Sequence, residues 1–190
     1  MGDDRDLTKR LLRARLREAR RSMTASAAEA AATAACRRIV ASAAFAQAGH
    51  VAAYVPTDHE LDPRLATAAA RAAGKCVYYP RTSDGELEFL AADPETFVRG
   101  ALGIPEPQGG APLPEAADVL FLVPGVGFDV LGNRLGRGGG HYDRALRARA
   151  GARLALAFEF QVLPRLPEGP WDVRMHAVAT DVRFIPGSAP

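Results

Sequence analysis

An α/β layered fold with a mainly parallel sheet is what the sequence predicts, and three observations predict it. The segment from His50 to Tyr79 reads as strand, helix and strand in succession. The run Val119 to Val123 is apolar throughout, as a strand buried on both faces requires. Stretches of strand and helix character then keep alternating to Ile185, a pattern that belongs to βαβ construction.

Each element has its own warrant. Leu7, Leu11, Leu12, Leu16 and Ala19 recur at helical spacing between Leu7 and Arg21, with Arg and Glu between them, so the chain opens on an amphipathic helix. Ser26 followed by Glu29 has the spacing of a capping box, and the alanine-rich run to Ala43 makes a second helix. His50 to Val55 is short, apolar and closed by Pro56; Pro63 to Ala73 reads as a helix stopped by Gly74, and Cys76 to Tyr79 as the next strand. Glu86 to Leu90 alternates like a strand with one wet face. Asp93 to Gly110, rich in Pro and Gly, is expected to be a loop with one helical turn near Glu95 to Arg99. Beyond Val119 to Val123 come a helix from Tyr142 to Arg149, a buried strand from Leu154 to Phe158 and a last strand from Ala177 to Ile185. Neither an internal repeat nor a dividing linker is visible, so residues 1–190 are expected to form a single domain.

Composition narrows the function. A chain of 190 residues with 48% hydrophobic content can bury one substantial core. The net charge of +2 and pI near 8.7 are far from the dense fields of dedicated nucleic-acid binders, so an anionic partner must be met locally. Cys36 and Cys76 imply no disulfide framework, and the four histidines His50, His59, His141 and His176 show no zinc-ligand spacing with them. The start MGDDRDLTKR lacks the apolar core of a signal peptide and no later stretch approaches a membrane span, so a cytoplasmic location is expected. Lys9 and Lys75 are the only lysines among many arginines; a compact ammonium and a planar guanidinium are not interchangeable, which gives those two positions weight.

The richest segment is VPGVGFDVLGNRLGRGGGHYDR, from Val123 to Arg144, with glycine at 125, 127, 132, 136, 138, 139 and 140. Glycine this dense costs backbone entropy but lets main-chain N–H groups approach a ligand. A loop of this kind between a buried strand and a helix forms an anion site, and Arg134 and Arg137 add two guanidinium forks suited to phosphate oxygens. The spacing is neither that of a Walker loop nor that of the dinucleotide fingerprint. Asp143 could complement the helix dipole or hold Mg²⁺.

At this loop, in PGVGFDVLGNRLGRGGGHYDR, the sequence resembles the 5-formyltetrahydrofolate cyclo-ligase family. The resemblance extends to KRLLR with Lys9 and Arg13, YVPTDHELD from Tyr54, CVYYPR from Cys76, LGIPEP from Leu102 and LALAFEFQ from Leu154. It implies a three-layer α/β/α sandwich around a largely parallel sheet, and ATP-dependent cyclisation of 5-formyltetrahydrofolate to 5,10-methenyltetrahydrofolate with release of ADP and phosphate. By the same resemblance ATP is held by Lys9, Arg13, Arg134, Leu135, Gly136, Arg137, Gly138, Gly139, Gly140, His141 and Tyr142. The folate side is similar at Val55, Glu60, Arg137, Gly138, Gly139, Gly140 and His141; Mg²⁺ falls to Asp143 and Asp172, and the catalytic groups are Arg134, Arg137 and Tyr142. The implied partner is this small molecule alone, with no specific nucleic acid, no membrane, and a monomeric chain.

Two departures stand out. His141 takes the place of the first tyrosine in the Tyr-Tyr-Asp of many relatives, and Gly139 stands where some carry a lysine, so phosphate charge falls to Lys9 and the arginines. Rival readings are an enzyme on a similar fold that needs no ATP, of the sugar-phosphate isomerase or CoA transferase type, and a nucleic-acid module using the arginines of the first helix.

Overall fold

Alanine- and arginine-rich sequence opens the chain as helices. The computed structural model describes residues 2–100, 103–115 and 118–188, with side chains from Asp4 onward, and begins with α1 (Gly2–Arg21), α2 (Ala25–Val40) and α3 (Ala43–Gln47). Leu102, the first residue of the LGIPEP motif, lies outside the described residues. The cap of α2 is Thr24, whose hydroxyl accepts from Ala27 N at 3.2 Å, so Ser26 lies inside the helix and the expected Ser26 to Glu29 capping box does not form. Both hydroxyl residues can cap, and the extended backbone of Thr24 (φ −70°, ψ 152°) sets the start. Ser42 ends the long second helix of the sequence reading early: its hydroxyl donates to Ile39 O at 2.6 Å and accepts from Phe45 N at 3.2 Å, capping α3.

The βαβ unit then follows as β1 (His50–Ala52), α4 (Arg64–Ala72) and β2 (Cys76–Ser83), with Gly74 at φ +73° ending the helix. β3 (Glu86–Ala91) returns antiparallel to β2. A 3-10 turn at Pro94–Thr96 leads to β4 (Phe97–Arg99) and β5 (Pro105–Pro107), which pair as a small arm where a loop was expected. β6 (Val119–Val123) is buried at all five positions, as its composition predicts. The glycine-rich segment carries β7 (Gly127–Asp129) and β8 (Arg134–Leu135) before α5 (His141–Arg147) and β9 (Ala152–Ala157). β10 (Val162–Leu163) joins β7 and β8 in a three-stranded sheet that the sequence reading left as irregular. The single expected last strand is a hairpin of β11 (Ala177–Thr180) and β12 (Phe184–Pro186), because Thr180 Oγ1 accepts from Val182 N and Arg183 N and turns the chain.

The main sheet has the order β12-β11-β9-β6-β1-β2-β3; its interior pairs are parallel and its two edge strands antiparallel. On one face Ala35, Ile39, Phe45, Ala66 and Ala70 of the helices pack on Val51, Leu120 and Leu154. On the other, Leu146 of α5 and Phe128 of the small sheet pack on Phe121, Val123 and Val178. The fold is thus an α/β sandwich with a largely parallel central sheet. From β1 the chain passes to β2 on one side, whereas β6 lies on the other, so the switch point of the sheet falls between β1 and β6.

The first helix turns an unexpected face inward. Leu7 and Leu11 are 42% and 62% exposed, while Leu16 is buried and Arg20 wholly so. Lys9, Arg13, Leu16 and Arg20 recur at steps of three and four, one stripe of α1, and this stripe faces the strand ends. No described helix is long and apolar enough to cross a membrane.

The cap assignment predicts that Thr24→Ala lowers unfolding free energy by about 1 kcal/mol in denaturant titration, whereas Ser26→Ala changes it much less.

Candidate active site

At the switch point a cleft of about 320 Å³ opens, within the range of roughly 300 to 1,000 Å³ usual for small-molecule sites. Several distant parts of the chain supply its walls. Lys9 and Arg13 come from α1, Val55 and Glu60 from the segment leaving β1, and Asp172 from the loop before β11. Arg134, Leu135, Gly136, Arg137, Gly138, Gly139, Gly140, His141, Tyr142 and Asp143 line it as one continuous stretch. Every site residue expected from the sequence therefore borders the same cleft.

The turn from loop into α5 runs through Gly140 at φ +69°, a left-handed conformation that glycine adopts without strain. His141 Nδ1 lies 2.9 Å from Gly85 O, so the imidazole ties the loop to the β2–β3 turn; Arg144 does the same through Gly85 O at 3.2 Å and Glu86 Oε1 at 2.9 Å.

The cations on one side of the cleft each have a fixed contact. Lys9 Nζ donates to Asp172 Oδ2 at 2.9 Å, and the same oxygen accepts from Gly169 N at 2.8 Å. Arg13 Nε donates to Gly136 O at 2.8 Å, bracing the glycine loop from α1. Arg134 Nη2 donates to Asp143 Oδ2 at 2.8 Å and Nη1 to Pro124 O at 3.3 Å, with the guanidinium 5.6 Å from the Tyr142 ring centre. Its Nε is buried with no partner among the described residues. Tyr142 has its phenol pushed well above the ordinary range by burial and then by the Glu60 charge, against the pull of Arg134 and Arg137, so it stays a protonated donor.

The other side is organised around Glu60. Its Oε1 lies 3.2 Å from Arg137 Nη2 and 3.7 Å from Arg20 Nη1, and its Oε2 accepts from Thr57 N at 3.1 Å and Thr57 Oγ1 at 3.4 Å. Burial pushes the Glu60 carboxyl up, against the opposing pull of Arg137, Thr57 and Arg20. Two residues earlier, Asp58 receives Arg17 at 3.5 Å, Arg20 at 2.9 Å and Arg21 at 2.9 Å. Burial works against its ionised form, but Arg21 and Arg20 outweigh this and hold its carboxyl below the usual range. Asp58 and His59 both sit at positive φ, 49° and 59°, a conformation open to Asp and His at some cost, which carries Glu60 back toward the cleft.

A divalent cation in this cleft would find Asp143 and Asp172, each already paired with a cation, Arg134 and Lys9. No group of three or more His, Cys, Asp or Glu that could hold a metal exists among the described residues. Two carboxylates completed by ligand oxygens and water suit Mg²⁺, which keeps much of its hydration. Asp143 Oδ2 and Oδ1 accept from Arg134 and from Val173 N, and Asp172 Oδ2 from Lys9 and Gly169 N. Asp172 Oδ1 is thus the oxygen of the pair without a hydrogen bond among the described residues and the one an ion could take directly.

Sequence reasoning missed Arg20 and Asp58, Thr82 and Glu106, and the exposed Trp171, the last three of which line the cleft. The basic stripe on α1 is visible, since Lys9, Arg13, Arg17 and Arg20 lie at helical spacing, but beyond Lys9 and Arg13 the sequence assigned its arginines only to the rival nucleic-acid reading. For Glu106 the only signal was the motif in which it stands.

A cleft at the switch point of a parallel sheet, with a basic wall on a glycine loop and buried acids facing it, defines an α/β enzyme for an anionic small molecule. The chain belongs to the 5-formyltetrahydrofolate cyclo-ligase family, whose model matches residues 5–181, and it is a ligase of that family. The 5-formyltetrahydrofolate cyclo-ligase of Escherichia coli (strain K12) is 32% identical over 174 residues, covering 87% of this chain and 96% of its own. The NMR structure of Aquifex aeolicus 5,10-methenyltetrahydrofolate synthetase matches with a TM-score of 0.83 at 29% identity, over 94% of this chain and 92% of the other. The structure of a 5,10-methenyltetrahydrofolate synthetase from Mycoplasma pneumoniae, at 23% identity and a TM-score of 0.74 over 91% and 98% of the two chains, shares the fold.

The raised carboxyl of Glu60 has a sign that can be measured. The folded protein holds that proton more tightly than the unfolded chain, a stabilisation complete below the ordinary glutamate value and lost as pH rises through the folded one. The melting temperature of wild type relative to Glu60→Gln is therefore expected to be higher at about pH 4 than at about pH 7, read by thermal melts across that window.

Proposed function

We propose that this protein converts 5-formyltetrahydrofolate and ATP to 5,10-methenyltetrahydrofolate, ADP and phosphate. The observation that carries this reading is the convergence of Lys9, Arg13, the Arg134 to Asp143 stretch, Glu60 and Asp172 on one cleft.

A formamide is a weak electrophile because its nitrogen donates into the carbonyl, so ring closure needs the oxygen turned into a leaving group. In the proposed sequence the formyl oxygen bonds to the γ-phosphorus while the bond to ADP breaks. N10 then bonds to the formyl carbon, the carbon–oxygen bond breaks, and phosphate departs with the N10 proton. Such transfers ask a protein mainly for in-line positioning and charge neutralisation.

The residues divide that work. Lys9 and Arg13, on consecutive turns of α1, cover the phosphates from one side, and Arg134 and Arg137 with the loop amides from Leu135 to His141 from the other. Arg137 bridges the two halves, since its guanidinium also meets Glu60 at 3.2 Å, and can follow charge from the formyl oxygen to the phosphoryl group. Tyr142, held protonated, donates where that charge gathers. Asp143 and Asp172 would hold Mg²⁺, which supplies charge neutralisation at the phosphates when bound. Val55 and Glu60 border the folate half, and Glu60 acts there chiefly by keeping Arg137 in place. The arginines of α1 support this reading over a nucleic-acid module: Arg13, Arg17, Arg20 and Arg21 all have partners within the protein.

Arg137→Ala is expected to keep its fold by circular dichroism while methenyl formation falls about 30- to 1,000-fold, the effect of losing one charge-assisted contact made in the transition state. The wild type is expected to release ADP from ATP and Mg²⁺ only when 5-formyltetrahydrofolate is present. Normal turnover by Arg137→Ala would overturn the loop's role, and ADP release independent of the folate would overturn the reaction.

A further inference from the structure

The cleft has a second region that the phosphate chemistry does not use. Pro80, Thr82 and Leu87 lie on one face of the β2–β3 hairpin, Thr82 and Leu87 as register partners, and Ile104 and Glu106 of the β4–β5 arm join them along the cleft. The cleft's Lys and Arg side chains come from α1 and the glycine loop, so this end is apolar apart from Thr82 and the carboxylate of Glu106.

Glu106 is only 7% exposed, yet it has no ion pair among the described residues. Its one side-chain hydrogen bond there is from Thr82 Oγ1 to Oε1 at 3.1 Å. The position of the carboxylate is fixed from behind: a Cβ on Gly100 would stand 2.2 Å from its Cδ and 2.4 Å from Oε2, so glycine at 100 leaves the carboxylate the room it occupies. A largely buried acid held by a single hydroxyl has unfilled acceptor capacity that a ligand in the cleft can take up. Glu60 differs, since both of its oxygens are already committed to Arg137, Arg20 and Thr57.

We infer that Glu106, positioned by Thr82, is the residue that recognises the head of the substrate, accepting from its adjacent ring N–H and exocyclic amino group. This rests on the proposed reaction, whose reduced pterin offers that pair of neighbouring donors at the N3 and 2-amino positions. The apolar side chains of Pro80, Leu87 and Ile104 suit the faces of a planar bicycle, and an acceptor-only group beside them selects a donor edge. A site built to bond such an edge rejects analogues lacking it more strongly than an apolar pocket rejects a missing methylene. Glu60 is then left to orient Arg137, and the two buried acids of the cleft have separate tasks.

The test compares wild type, Glu106→Gln, Thr82→Val and Gly100→Ala by methenyl formation, with 5-formyltetrahydrofolate and with its analogue carrying methyl in place of the 2-amino group. Glu106→Gln is isosteric and is expected to raise KM for 5-formyltetrahydrofolate about 10- to 100-fold while KM for ATP is unchanged. With the methyl analogue the gap between wild type and Glu106→Gln should narrow, since one of the two bonds made by the carboxylate is already missing. Thr82→Val and Gly100→Ala should raise the folate KM by smaller factors, again without moving that for ATP, and they carry the test if Glu106→Gln does not fold. An unchanged folate KM, or an equal loss on both folates, overturns the assignment. A wild type that makes no methenyl product from ATP and 5-formyltetrahydrofolate overturns the underlying reaction instead, and the assignment with it.

Discussion

Everything in the cleft depends on where α1 lies, and one buried guanidinium fixes that. Arg20 has no exposed surface; it donates to Gly125 O at the end of β6 and to Asp58 in the segment leaving β1, so it straddles the switch point of the sheet. Burying a cation gains little net stability even when it is paired, but a buried pair with fixed geometry resists any other arrangement. Leu16, one turn earlier, packs where Gly127 has no side chain. A helix is a rigid rod, so with these two anchors set, Arg13 and Lys9 are carried to positions roughly 10 and 16 Å further along it.

The same contacts explain how so many like charges coexist. Lys9 meets Asp172, Arg134 meets Asp143, and Arg137 meets Glu60, so the basic wall is laced with acids at each step. The acids hold the cations in extended, fixed positions and limit their mutual repulsion. Groups placed beforehand need not reorganise when charge develops on a bound substrate, which is the main source of electrostatic catalysis.

The parts legible in the sequence were those with short-range causes. β6 follows its apolar run to the residue, and α4 ends at Gly74 because the chain needs positive φ there. The misreadings share a different cause. Thr24 and Ser26 are equally good caps by type, and the turn after α1 chose between them. Two-residue strands such as β8 and β10 have no periodicity to detect and exist only because β7 lies between them. The stretch from Ala177 to Ile185 reads as one strand since a polar turn at Thr180 to Arg183 is shorter than any pattern window.

The sequence by itself determined the layered α/β class, the glycine loop with its two arginines, and the family, since each is encoded in consecutive residues whose chemistry is local. Tertiary structure alone decided that the charged stripe of α1 faces inward, that Asp58 gathers three of its arginines, and that Glu106 lines the cleft, buried against Gly100. Those facts join residues tens of positions apart. Whether a charge is solvated or buried depends on what packs against it, and a linear sequence carries no record of that neighbour until the sheet has formed.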